Sequence, residues 1–194
     1  MNAHDLLWGM TPAHLPADAP AWAVQAVGTV VVRRATVAAG YVPVGVRGRS
    51  REQRFAALMP LAAVQRRVAP EALRDVVSRR DLPALQALDQ LRPVLATLNW
   101  GVTGSAGFEL ATGIEALHAQ SDLDLILRTP EPLDRSEARD LLATLDQAVC
   151  AVDLQLQTPF GAVALREWAG PSRRVLLKTA SGAHLVLDPW QAVA

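Results

Sequence analysis

The stretch Ser121-Asp122-Leu123-Asp124-Leu125-Ile126-Leu127 constrains the fold more than any other part of the chain. Side chains on a strand alternate between two faces, so Leu123, Leu125 and Leu127 make one apolar face and Asp122 and Asp124 share the other. Asp134 with Glu137 three residues later is a capping box, and a helical pattern follows through Leu141, Leu142, Leu145 and Val149. Val152-Asp153-Leu154-Gln155-Leu156-Gln157 then alternates strictly between apolar and polar. Strand, helix and strand in that order predict a crossover that lays both strands in one sheet. Asp153 then stands on the polar face of a strand beside the one that carries Asp122 and Asp124.

The rest of the chain supplies the frame. Val30–Val32 and Val42–Val46 read as strands, with Pro43 marking the second as an edge or interrupted strand. Ser50 and Gln53 form a second capping box, which predicts a helix with Phe55, Leu58, Met59 and Ala62 on one side. Pro70 suits the first turn of another helix. Arg79-Arg80-Asp81 breaks the apolar pattern, so the domain boundary is placed there, giving residues 1–80 and 81–194. Beyond it come a helix over Leu82–Leu91, a short strand at Trp100–Thr103, and a helix from Ala106 carrying Leu110, Ile114 and Leu117. Ala162–Trp168, Arg174–Thr179 and His184–Leu187 complete the strands. The class is α+β, with a small N-terminal domain and a C-terminal domain on a mixed sheet.

Composition narrows the function. Half of the residues (51%) are hydrophobic, which makes the chain globular, and 19 Lys+Arg balance 19 Asp+Glu, so bulk attraction to nucleic acid or to an anionic membrane is not indicated. No apolar run is long enough to span a bilayer and the N-terminus lacks the basic start of a secretory signal. Cys150 is the only cysteine, which excludes an internal disulfide; with its apolar neighbours it reads as a buried structural thiol, and the expected compartment is the cytoplasm.

Two carboxylates on one strand face repel each other unless a cation lies between them. Mg²⁺ meets that need, taking one or two carboxylates and completing its shell with phosphates and water. Upstream, Gly104-Ser105 opens a helix, where a glycine backbone can approach a phosphate and free N–H groups favour an anion. Asp122, Asp124 and Asp153 are therefore candidate catalytic and metal-binding residues for one or two Mg²⁺ ions, with Gly104 and Ser105 as phosphate ligands. Arg47, Arg49, Arg51 and Arg54 gather around Gly48 and the predicted helix start; the first three are assigned to substrate phosphates. The alternatives are a solvated strand face for the acids, an ordinary helix cap for Ser105 and, for the arginines, a solvated basic face or contact with an acidic protein partner.

Gly-Ser at a helix start, an Asp-x-Asp strand and a third Asp strand resemble the DNA polymerase β-type nucleotidyltransferase superfamily. A fuller match is to the MdcG family of phosphoribosyl-dephospho-coenzyme A transferases of malonate decarboxylase. It rests on His4-Asp5-Leu6-Leu7-Trp8, Pro43-Val44-Gly45-Val46-Arg47-Gly48 with Arg51-Glu52-Gln53-Arg54, Trp100-Gly101-Val102-Thr103-Gly104-Ser105, Leu110-Ala111-Thr112-Gly113, Ser121-Asp122-Leu123-Asp124-Leu125 and Asp188-Pro189-Trp190. The resemblance implies a polymerase β-like catalytic domain and transfer of a phosphoribosyl-dephospho-coenzyme A group from its triphosphate precursor to a serine of an apo acyl carrier protein. Pyrophosphate would leave. The substrate would lie in a cleft between an arginine-bearing domain and the metal. Other readings are a citrate lyase-type or protein-adenylylating relative, or an inactive module that binds nucleotide or carrier protein.

Overall fold

The computed structural model describes residues 1–50 and 52–192. The chain divides into two units, Met1–Ala69 and Pro70–Ala194. Each has its own sheet.

The first unit holds β1 (Leu6–Trp8), helix α1 (Ala21–Ala26), β2 (Thr29–Val32), β3 (Tyr41–Arg47), β4 (Arg54–Pro60) and β5 (Arg66–Val68). The strands form an antiparallel sheet in the order β4-β3-β2-β1-β5. Leu7, Val30, Val32, Val42, Val44, Val46, Ala57 and Met59 are buried together on one face, with Ala23 of α1 against them. Trp22 of α1 meets Phe55 edge to face at 6.5 Å and so anchors the helix on the sheet.

Two expectations change here. Pro43 does not put its strand at an edge, because β3 runs between β2 and β4. Its carbonyl accepts from Arg33 N just past the last residue of β2, so the donor that proline lacks falls where that ladder ends. Nor does Ser50–Gln53 start a helix. The Gln53 Oε1 accepts from the N–H groups of Arg49 and Ser50, and Gly48 N donates to Gln53 O, which closes a hairpin between β3 and β4. Arg54–Pro60 pairs along the whole of β3, buries Ala57 and Met59 and exposes Ala56 and Leu58. Ala, Leu and Met favour helix, but the buried half-sheet they complete outweighs propensity.

The second unit holds α2 (Pro83–Val94), β6 (Trp100–Val102), α3 (Gly104–Thr112), β7 (Leu123–Arg128), α4 (Arg135–Leu145), β8 (Val152–Gln157), β9 (Ala162–Ala164), α5 (Leu165–Ala169), β10 (Val175–Lys178) and β11 (Ala183–Val186). The order is β11-β10-β9-β8-β7-β6, parallel only between β7 and β8. That parallel pair is the crossover the sequence predicts, and the Asp134–Glu137 capping box opens α4 as expected. Leu123, Leu125, Leu127, Leu154 and Leu156 lie on the buried face.

The divide falls before Pro70 rather than at Arg79-Arg80-Asp81. Residues 70–80 are tied into the second unit. Glu71 pairs with Arg128 at 2.7 Å, Arg92 donates to the carbonyls of Arg74 and Val76, and Arg80 pairs with Glu109. The Pro70–Leu73 turn is a single 3-10 turn rather than a longer helix. It lies so close to β6 that a Cβ on Gly101 would meet the Pro70 carbonyl carbon at 2.3 Å. The helix expected through Leu117 stops at Thr112, because Gly113 takes a left-handed φ of 72° and ends it; Ile114 is exposed. The strand expected over Ala162–Trp168 turns into α5 after Ala164. Cys150 is half-buried rather than buried. Burial pushes its thiol up and the Asp122 carboxylate adds to this, against a hydrogen bond from Leu123, so it stays a neutral thiol at neutral pH.

Candidate active site

Register brings the acids together. Asp124 on β7 and Asp153 on β8 are direct partners in the parallel pair, and side chains of paired residues leave the sheet on the same side. Asp122 stands just ahead of the first residue of β7, two positions before Asp124. Asp122 and Asp124 are half-buried and Asp153 is exposed, while Leu123 between the first two is fully buried. Gln155, Gln157, Ala162 and Lys178 continue the same face across β8, β9 and β10. Lys178 is exposed there.

Helix α3 begins beside the acids. Thr103 N donates to the Asp124 carbonyl at 2.9 Å, which fixes the start of α3 against β7. Gly104 has φ +60°, and a Cβ placed there would lie 1.8 Å from Asp124 Oδ2. The carboxylate therefore occupies the space that any other side chain would fill. Glycine is required twice over, by conformation and by contact. Gly104 is exposed and Ser105 half-buried, so the open start of the helix adjoins the carboxylate. Further along, Gly107 lets the helix rest on β6, since a Cβ would meet the Val102 carbonyl oxygen at 2.6 Å.

The two carboxylates fit Mg²⁺ by the chemistry of the donor set: hard oxygens beside a helix start suited to phosphate. Among the described residues no group of three or more His, Cys, Asp or Glu side chains is placed to hold a metal. Asp122 and Asp124 could complete a Mg²⁺ shell with substrate phosphates and water.

Sequence reasoning passed over Glu109, one turn after Ser105 on α3. Its carboxylate is buried, pairs with Arg80 at 2.7 Å and accepts from Ala116 N and Leu117 N at 2.7 and 2.9 Å. Burial acts to raise this carboxyl, but the two backbone bonds and Arg80 outweigh it and hold it below the usual range. It fastens the loop that leads from α3 to Asp122. An acid inside the apolar run Ala106-Gly107-Phe108-Glu109-Leu110 was the signal available.

The arginines have a different setting from the one expected. Arg47 and Arg54 face each other across the β3–β4 hairpin, and Arg49 lies exposed at its tip. All three belong to the first unit; Arg51 lies outside the described residues. Of the tryptophans, Trp100, Trp168 and Trp190 are core, while Trp8 and Trp22 are half-buried.

A mixed sheet with acids beside a glycine-led helix, joined in one chain to an antiparallel sheet unit, makes a two-domain α+β protein with a candidate phosphate- and metal-binding face. Profiles of the MdcG phosphoribosyl-dephospho-CoA transferase match along nearly all of it, the N-terminal domain over residues 2–70 and the C-terminal domain over residues 72–189. The chain belongs to this family. It is 64% identical to a phosphoribosyl-dephospho-CoA transferase of Pseudomonas fluorescens (strain Pf0-1), over 97% of this chain and 94% of that one. A protein of the same name from Pseudomonas putida (strain W619) is 58% identical over 96% and 94%, and one from Azotobacter vinelandii is 55% identical over 98% and 95%. No solved structure matches the chain significantly. No helix among the described residues is long and apolar enough to cross a membrane.

Proposed function

We propose that this protein transfers the phosphoribosyl-dephospho-coenzyme A group from 2′-(5″-triphosphoribosyl)-3′-dephospho-coenzyme A to a serine of the malonate decarboxylase acyl carrier protein. The observation that carries this reading is the pairing of Asp124 with Asp153 in one sheet, with the Asp124 carboxylate set against Gly104 at the start of α3. Relatives named for the transferase over nearly their whole length support the group transferred.

The serine Oγ attacks the ribose-proximal phosphorus, a phosphodiester bond forms, and the bond to the β-phosphate breaks with pyrophosphate leaving. Such a displacement needs positioning and charge neutralisation more than covalent help from the protein. Asp122 and Asp124 would hold Mg²⁺, which when bound supplies neutralising charge to the triphosphate and to the leaving pyrophosphate. Gly104 and Ser105 would orient the triphosphate through backbone N–H groups and the hydroxyl at the start of α3. Asp153 would take the serine proton as the Oγ–P bond forms, being exposed and adjacent to Asp124.

The test is mass spectrometry of apo carrier protein after incubation with the enzyme, Mg²⁺ and the triphosphate precursor. The expected result is a carrier heavier by one phosphoribosyl-dephospho-coenzyme A, with pyrophosphate formed in equal amount. An unmodified carrier with the complete mixture overturns the reading. Modification by ATP in place of the precursor would favour an adenylyltransferase.

A further inference from the structure

The zero net charge of the chain conceals a division. Met1–Ala69 carries eight arginines against three acids, a surplus of five, and the second unit carries the opposite surplus. Several of those arginines share one surface. Direct strand pairing puts Arg66 beside Trp8, Trp8 beside Thr29, and Arg47 beside Arg54. The β2–β3 register, Val30 to Val46, carries one step further to set Thr29 beside Arg47. One row of side chains, Arg54, Arg47, Thr29, Trp8, Arg66, therefore crosses all five strands on the face opposite the apolar core. Arg33 lies on this face too, its side chain over Gly45. The Arg66 guanidinium rests on the Trp8 ring at 4.6 Å. None of the strand positions on this face is acidic.

The face is open and broad. Arg33, Arg54 and Arg66 are exposed, and so are two large side chains that share it, Tyr41 and Leu58 at 49% and 46%. Strands about 4.8 Å apart spread the row over roughly 19 Å. Small ligands are gripped in concave sites by convergent groups, whereas a broad, charged face with exposed aromatic and aliphatic side chains suits another protein's surface.

We infer that this face of the N-terminal unit docks an acidic protein surface, that of the carrier protein which accepts the transferred group. The inference rests on the functional reading above only for the partner's name. Charge complementarity selects the occupant: an acidic partner is drawn to this unit and repelled by the acidic second unit. Docking here supplies affinity and orientation, and takes no part in the chemical step.

The test compares the full chain with Arg33→Glu/Arg54→Glu, and with Arg33→Lys/Arg54→Lys as a charge-preserving control. Binding of apo carrier protein is measured by titration calorimetry without the precursor, and transfer kinetics are measured with each substrate varied. The charge-reversed pair is expected to weaken carrier binding and raise the carrier KM by about tenfold or more, with the lysine pair near wild type. Added salt should weaken carrier binding to the wild type and have less effect on the reversed pair. The KM for the precursor and kcat at saturating carrier should stay unchanged. Unchanged carrier binding by the reversed pair overturns the docking face, and so does a rise confined to the precursor KM, which would place the small polyanion on the row. If the reversed pair fails to fold, Arg33→Gln/Arg54→Gln carries the same comparison. Salt-sensitive, arginine-dependent carrier binding by a wild type that transfers nothing would uphold this surface and overturn the functional reading instead.

Discussion

Gly104 and Asp124 are each shaped by the other, and the first prediction at the residue scale follows from that contact. Gly104→Ala adds a Cβ at a positive φ, which costs about 1–2 kcal/mol, and drives it into the Asp124 carboxylate. The carboxylate must move by an ångström or more, and a displacement of that size at a reacting centre costs about a hundredfold in rate. The expected outcome is a melting point lowered by only a few degrees, roughly 2–8 °C, with turnover down far more. Wild-type turnover in Gly104→Ala would show that the contact has no part in the reaction. Asp122→Asn and Asp124→Asn should abolish transfer without loss of stability, since each removes one of two like charges two residues apart. Asp153→Asn should slow transfer and leave Mg²⁺ affinity, read by titration calorimetry, near wild type. If Asp153→Asn weakens Mg²⁺ as much as the other two, it is a metal ligand and the serine proton has another acceptor. The acids and Gly104-Ser105 were legible because spacing along a strand and at a helix start is local. Glu109 was not, because its value lies in Arg80 and in two loop N–H groups that only the folded chain brings to it.

At the scale of elements, α3 and the loop after it depend on that buried carboxylate. Glu109→Ala leaves the N–H groups of Ala116 and Leu117 without their acceptor and should destabilise the protein by about 2–3 kcal/mol in urea denaturation. The sign with pH follows from the lowered carboxyl. The contribution is fully present above the unfolded value of about 4.3 and is lost as pH falls through the lower folded value. Stability measured from pH 7 to pH 3 should therefore fall along an acid limb that is shallower in Glu109→Gln. Equal limbs in both proteins would mean that Glu109 carries none of the acid sensitivity. The β3–β4 hairpin teaches a different lesson. Ser50 and Gln53 have the spacing of a helix cap, yet Gln53 turns back on Arg49 and Ser50 to close a loop. The same hydrogen-bonding groups serve either turn, and the choice was made by β3, whose full length Arg54–Pro60 pairs.

At the scale of the whole molecule, the closing Asp188-Pro189-Trp190 acts as a latch. Trp190 is buried, packs against Trp168 with centroids 5.2 Å apart, and donates its indole N–H to the Thr129 carbonyl at 2.7 Å. Asp188 turns the chain by accepting from Trp190 N. Trp190→Ala should cost about 3–5 kcal/mol in denaturant unfolding, while Trp190→Phe, which keeps a ring but loses the bond to Thr129, should cost about 1–3 kcal/mol. Equal, small losses in both would make the C-terminal segment a passive tail. The division of charge between the units is the other property of this scale, and it is invisible in a net charge of zero.

The sequence by itself determined the elements whose signals are local and strong: the alternating strands β7 and β8, the capped helix α4 between them, the parallel crossover they imply, and Gly104-Ser105 at a helix start. It also carried the family, because the motifs run from His4 to Trp190. Only the tertiary structure decided the register that sets Asp124 beside Asp153, the assignment of residues 70–80 to the second unit, the strand at Arg54–Pro60 and the row of arginines across the first sheet. The reason is physical. Periodicity and capping are set by neighbours within a few residues, whereas register, boundary and shared faces are set by which distant surfaces bury one another.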